Sequence, residues 1–221
     1  MVHRALELLF AEVPRGERTR EMASAMLLRS AEEHKESGVF LEIADFPGEL
    51  VFLQDGEDSL DGYFGIEDPN TPNTIMTEQR ISQALGEVNV LGVIDRVDQL
   101  DDGSYVVIDY KTGKPPREGY EDKEFVALRT YAALLRRELG QTPVALSLYY
   151  LRDALKLTQI CTDQVASAAE NKIVRTYEAI STSCATDTFD VRRSRLCDWC
   201  AFQHFCPGEA PVHLKNTRTM R

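Results

Sequence analysis

The alternation of apolar and polar positions lays out most of the chain. Near the start Leu6, Leu8, Leu9 and Phe10 form an apolar stripe of helical spacing. Pro14-Arg15-Gly16 interrupts it, and an Ala/Met/Leu-rich stretch over 18–36 resumes it. Residues 38–60 show no clean period, and D-P-N-T-P-N at 68–73 reads as a loop. Strands are predicted over 74–84, 88–99 and 105–110, the last two flanking the hairpin turn Asp101-Asp102-Gly103. Helical spacing returns over 121–139 through Phe125, Leu128, Tyr131, Ala132 and Leu135. A second hairpin is predicted from 143–151 and 155–161, followed by a helix from 162 to about 180 and a cysteine-bearing tail. This order predicts an α/β fold: a central mixed β-sheet flanked by helices, with a small C-terminal module.

Composition narrows what those elements can be. The 221 residues are 43% hydrophobic, which is enough for a core and too apolar for global disorder. No run of about 18 apolar residues occurs, and Glu7 breaks the first apolar stretch. Neither a membrane span nor a secretory leader is therefore expected, and a cytoplasmic protein is. A net charge of −11 argues against a sequence-independent DNA clamp, but not against an enzyme whose acids hold metal. The charge is unevenly spread. From residue 190 onward Arg192, Arg193, Arg195, Lys215, Arg218 and Arg221 outnumber Asp190, Asp198 and Glu209. All five cysteines lie beyond residue 160, an odd number that does not read as a disulfide framework. Cys197, Cys200 and Cys206, by contrast, have ligand-like C-x2-C-x5-C spacing.

The predicted third strand runs into V-I-D-Y-K-T-G at 107–113, where Asp109 and Lys111 share a face. A charged pair on a dry face costs free energy unless it binds something. With the turn centred on Asp102, paired positions sum to 204, which sets Asp95 opposite Asp109 with Cβ atoms roughly 4.5–5.5 Å apart. A bulge at Gly103 would shift that register by one residue. Two carboxylates so close repel, and a hard divalent cation such as Mg²⁺ or Mn²⁺ relieves the repulsion. Lys111 would then orient a water or offset charge on a phosphate. The alternative is a surface hairpin whose acids are simply solvated, against which stand the flanking valines and isoleucines.

At G-V-I-D-R-V-D (92–98) and V-I-D-Y-K-T-G the sequence resembles the PD-(D/E)XK nuclease superfamily. It resembles most closely the RecB-family exonucleases with a C-terminal iron–sulfur module, the branch of AddB-type nuclease domains and CRISPR-associated iron–sulfur exonucleases. The resemblance runs from His3 to Pro207 and implies a restriction-endonuclease-like core hydrolysing DNA phosphodiesters in recombination or repair, with a helicase or other recombination subunit as possible partner. It further implies a metal site of His3, Asp95, Asp109 and the backbone carbonyl of Tyr110, with Glu78 of M-T-E-Q-R as the weaker candidate. Lys111 would act on water or phosphate, and Tyr131 of V-A-L-R-T-Y would hold DNA or order the site. Arg192, Arg193 and Arg195 are candidates to line a DNA path.

The sequence departs from that pattern twice. Ala127 stands where the family's helix motif has glutamine, and the family's [4Fe–4S] cluster takes one cysteine from before the histidine. Cys197, Cys200 and Cys206 match the other three, but only Met1 and Val2 precede His3. The chain thus reads as starting where a relative would be well under way. Cys161 or Cys184 would have to substitute, though by default both are buried free thiols, and a Cys₃His zinc site with His204 is the chemical alternative. The expected layout is a nuclease-like domain over 1–185 and a cysteine module over 186–221. Two functions stay open: a Mg²⁺- or Mn²⁺-dependent DNA exonuclease, or a catalytically impaired nuclease fold kept for DNA binding or assembly.

Overall fold

A three-stranded antiparallel meander and one hairpin, joined by a crossover, build the sheet. In the computed structural model, which describes residues 1–38 and 48–206, helices α1 (Val2–Glu12), α2 (Arg20–Glu36) and α3 (Glu49–Ile66) come first. Strands β1 (Thr74–Leu85), β2 (Val88–Gln99) and β3 (Tyr105–Lys111) follow, then the single turn α4 (Glu121–Glu124) and α5 (Val126–Leu139). Strands β4 (Ala145–Tyr150) and β5 (Leu155–Ile160) lead into α6 (Asp163–Thr186). The sheet order is β1-β2-β3-β4-β5. Strands β3 and β4 run parallel across the α5 crossover, and every other pair is antiparallel. This is the mixed sheet the sequence predicts, consistent with a restriction-endonuclease-like fold.

The sheet is covered on both faces. Ile94, Val97, Val107, Leu146 and Leu148 share one buried cluster with Leu128, Ala132 and Leu135 of α5. Ile108, Tyr110 and Tyr149 belong to the other, with Leu6 and Leu9 of α1, Leu27 of α2, and Leu60 and Tyr63 of α3. Each fully buried leucine is worth about 1.5–3 kcal/mol of transfer free energy, so both layers are held mainly by burial.

Local chemistry sets the element ends. Thr19 caps α2, its hydroxyl accepting from Met22 N–H at 3.3 Å. The buried Arg18 guanidinium donates to the carbonyls of Phe10, Val13 and Pro69 at 3.0–3.1 Å, tying the α1 C-terminus to the loop before β1. Gly140 closes α5 in the left-handed region at φ +70°. The β2–β3 hairpin keeps the expected register, from Arg96–Ile108 to Gln99–Tyr105.

The structure corrects the sequence reading in four places. The helical pattern over 121–139 breaks at Phe125 into α4 and α5, and α6 extends to Thr186 rather than about 180. Within 38–60, which showed no period, 39–47 lie outside the described residues while 49 onward is helical. The glycines there belong to α3 because other groups come close. A Cβ on Gly62 would stand 1.5 Å from the Leu151 carbonyl oxygen, and one on Gly56 would stand 2.8 Å from Leu27 Cδ2. Cys161 is buried as expected, but Cys184 is exposed.

The chain forms two compact units, Met1–Val174 and Arg175–Arg221. In the second, two short 3₁₀ turns, Arg195–Trp199 and Gln203–Phe205, carry the cysteine motif. Ser194 opens the first of them, and its own N–H donates to Cys197 Sγ at 3.3 Å. Lys215, Arg218 and Arg221 of the basic tail lie outside the described residues.

Candidate metal centre

The first turn of α1 and the middle of β1 and β2 bring three candidate ligands together. One ligand atom each from His3, Glu78 and Asp95 lies within 4.8 Å of the others, the one such group of His, Cys, Asp and Glu among the described residues. His3 Nδ1 is 3.4 Å from Asp95 Oδ2 and 3.6 Å from Glu78 Oε1. Burial works against the His3 imidazolium, but the Asp95 and Glu78 carboxylates beside it outweigh that and raise His3 to about 9.

Backbone geometry creates this convergence. Glu78 and Asp95 stand on one rung of the β1–β2 ladder, between the pairs Thr77–Arg96 and Gln79–Ile94. Glu78 has φ +44°, a left-handed conformation costing a non-glycine residue about 1–3 kcal/mol. The core face changes phase at the same rung, since Ile94 and Val97, three apart, both enter the cluster shared with α5. A regular strand would have sent them to opposite faces.

Asp109 stands apart from the trio. The paired ladder of β2 and β3 ends at Arg96–Ile108, one rung short of Asp95–Asp109. Beyond it, Asp95 Oδ2 accepts the backbone N–H of Tyr110 at 2.7 Å. Asp109 Oδ2 is buried and ion-paired with Lys111 Nζ at 2.6 Å, with no further hydrogen-bond partner. Burial, then the charge of Asp95, raises the Asp109 carboxyl above the usual range despite Lys111 and His3. Asp95 and Asp109 thus feel each other as the register implies, but the ladder's end and the ion pair with Lys111 keep Asp109 out of the three-residue group.

Tyr131 of α5 faces the acids. Burial, followed by the charges of Asp109, Asp95 and Glu78, raises its hydroxyl pKa, so it stays a donor. Its ring lies against Gly92, where an added Cβ would come within 2.9 Å of Tyr131 Cε1. That close approach explains the glycine of G-V-I-D-R-V-D.

Arg96 and Asp98, the rest of that motif, were not among the expected site residues. They point to the opposite face and form a clamp. Arg96 is 0% exposed, forks onto Asp98 at 2.6–3.1 Å and onto Glu67 at 2.5–3.1 Å, and donates to Tyr110 Oη at 3.0 Å. Tyr63 and Tyr149 complete Glu67, while the ring of Phe10 lies 4.7 Å from the guanidinium. The clamp therefore joins α1, α3, β2, β3 and β4 directly behind Asp95 and Asp109. Strand alternation was the sequence signal for it, since Arg96 and Asp98 must face away from Asp95.

The remaining candidates belong to the second unit. Among the described residues the thiols of Cys197, Cys200 and Cys206 do not form a three-ligand group. Arg192, Arg193 and Arg195 are exposed in the second unit. Among the described residues no helix is long and apolar enough to cross a membrane.

The trio fits a hard divalent cation. It offers two carboxylates and one imidazole, and the buried oxygen Glu78 Oε1 makes no hydrogen bond. Compared with known families, residues 1–207 match the model of the PD-(D/E)XK nuclease superfamily. No curated protein matches the chain.

Proposed function

The chain belongs to the PD-(D/E)XK nuclease superfamily, and from that premise we propose that it is a Mg²⁺- or Mn²⁺-dependent deoxyribonuclease, an exonuclease of the RecB type acting on DNA ends. The observation that carries this reading is the convergence of His3, Glu78 and Asp95 beside a buried, incompletely bonded Asp109. His3, Glu78 and Asp95 would hold the cation, with Asp109 and the Tyr110 carbonyl completing the shell. When bound, the cation supplies Lewis acidity toward the phosphate and a more acidic water. Lys111 offsets negative charge developing on the phosphate and keeps Asp109 in place. Tyr131 donates a hydrogen bond at the rim, over Gly92.

The RecB assignment draws on the order of His3, the two aspartates, Lys111 and the C-terminal cysteines. Cys197, Cys200 and Cys206 have the spacing of cluster ligands, but among the described residues their thiols do not form a three-ligand group. DNA is the proposed partner, with a helicase or recombination subunit as the proposed second one. The rival reading, a nuclease fold kept for binding or assembly, draws on Asp109 standing outside the ligand group and on Ala127.

The deciding assay is degradation of end-labelled linear DNA and of covalently closed circular DNA with Mg²⁺ or Mn²⁺, comparing wild type with Asp109→Ala. Metal-dependent loss of linear DNA alone, abolished by the substitution, is the expected result. Cleavage of circles would replace exonuclease by endonuclease, and no cleavage of either would favour the non-catalytic reading.

A further inference from the structure

Among the described residues three buried side-chain polar atoms make no hydrogen bond: Glu78 Oε1, Asp109 Oδ2 and the hydroxyl of Tyr150. The first two are acceptors, which a cation satisfies. The third differs in kind, because a protonated phenol needs an acceptor, and an anionic oxygen is the strongest one available. An unpaired donor on β4, next to the strand that carries Asp109 and Lys111, suits an anionic group brought in with a cation. A phosphodiester brings that group to a metal.

The position of Tyr150 agrees with this. In the parallel β3–β4 ladder Tyr150 pairs with Lys111, while Asp109 pairs with Leu148 on the same face. The Tyr150 side chain is 2% exposed, and its ring belongs to the core shared with Leu128 and Phe125. Burial, then Glu124 and Asp109, raises the pKa of the hydroxyl, which keeps its proton. Leaving such a hydroxyl unpaired costs folding free energy, which a tyrosine held only for its ring would avoid by being phenylalanine.

We infer that the Tyr150 hydroxyl is a substrate-contacting donor of the nuclease site, hydrogen-bonding with Lys111 to a non-bridging oxygen of the scissile phosphodiester. The inference rests on the nuclease reading and adds a residue to it. Tyr150 stays protonated throughout, and its contact strengthens as charge builds on that oxygen.

The test is Tyr150→Phe in the full chain, beside wild type and Asp109→Ala, with Mn²⁺ and a DNA oligonucleotide. The expected result is a kcat lower by about 100-fold, with KM for DNA and the half-saturating Mn²⁺ concentration unchanged. The melting temperature of the metal-free protein should stay the same or rise, since the substitution removes an unpaired polar group. A methylphosphonate at the scissile linkage should shrink the difference between wild type and Tyr150→Phe. Full activity of Tyr150→Phe beside an inactive Asp109→Ala would overturn this assignment alone. A marked fall in melting temperature would also overturn it, by giving the hydroxyl a structural partner. A wild type without metal-dependent cleavage would overturn the nuclease reading and this assignment with it.

Discussion

Asp95 accepts the backbone N–H of Tyr110 at 2.7 Å across the open end of the β2–β3 ladder. One carboxylate therefore does two jobs: it closes the hairpin where backbone pairing stops, and it presents an oxygen to His3. The neighbouring Asp109 does neither, being held by Lys111 on a buried face. The two aspartates, equal in the sequence pattern, have different energetics.

Substitution should separate them. Asp95→Ala leaves the Tyr110 N–H without its acceptor and should destabilise the metal-free protein by about 1–3 kcal/mol. Asp109→Asn removes a desolvated carboxylate and should leave stability unchanged or higher. Both should lose at least about 100-fold in metal-dependent cleavage. Urea denaturation beside the nuclease assay reads both quantities. Equal destabilisation by the two changes would contradict the distinction.

Arg96 should be the most sensitive position in the clamp. Arg96→Met leaves Glu67 and Asp98 buried without a counter-charge, a loss of about 3–5 kcal/mol. Arg96→Lys keeps the charge but cannot form two forks at once, so it should fall between wild type and Met. Chemical denaturation gives the order directly, and a Lys variant as stable as wild type would mean that charge alone holds the clamp.

The His3 shift fixes a pH dependence. Its folded-state value of about 9 lies above the unfolded 6.5. The stability it contributes is complete below about pH 6.5 and is lost as pH rises through 9. In the metal-free protein the melting temperature should decline over that window, and His3→Gln should flatten the decline. Because a metal must displace the same proton, Mn²⁺ affinity should instead rise over the window. Calorimetric titration at several pH values checks this, and a pH-independent affinity would remove His3 from the ligand set.

Two glycines should respond differently to alanine. At Gly62 the new methyl meets the rigid Leu151 carbonyl at 1.5 Å, so helix α3 must shift and the protein should unfold at markedly lower denaturant. At Gly92 it meets the movable ring of Tyr131 at 2.9 Å. There stability should change little while cleavage falls, since the ring is pushed from the acids. Comparable stability losses in both variants would show that the Tyr131 ring cannot yield.

The sequence determined the α/β order, the strands and the β2–β3 register, because period-two alternation and the Asp-Asp-Gly turn are local signals. Its motifs and family resemblance pointed to His3, Asp95, Asp109, Lys111 and Tyr131, with Glu78 as the weaker candidate. It did not reveal α3, which showed no clean period and whose Gly62 and Gly56 are required by the close approach of Leu151 and Leu27. Nor did it reveal that Glu78 would join His3 and Asp95 more closely than Asp109, or that Arg96 would clamp the sheet from behind. Nothing marked Tyr150 as more than a core aromatic. Those features depend on the phase change at the Glu78–Asp95 rung, the end of the β2–β3 ladder and the parallel pairing of β3 with β4. The parallel pairing brings together segments separated by helix α5, and the other two are breaks in an otherwise regular alternation, so the period-two pattern carries no sign of them and packing decides which polar groups find partners.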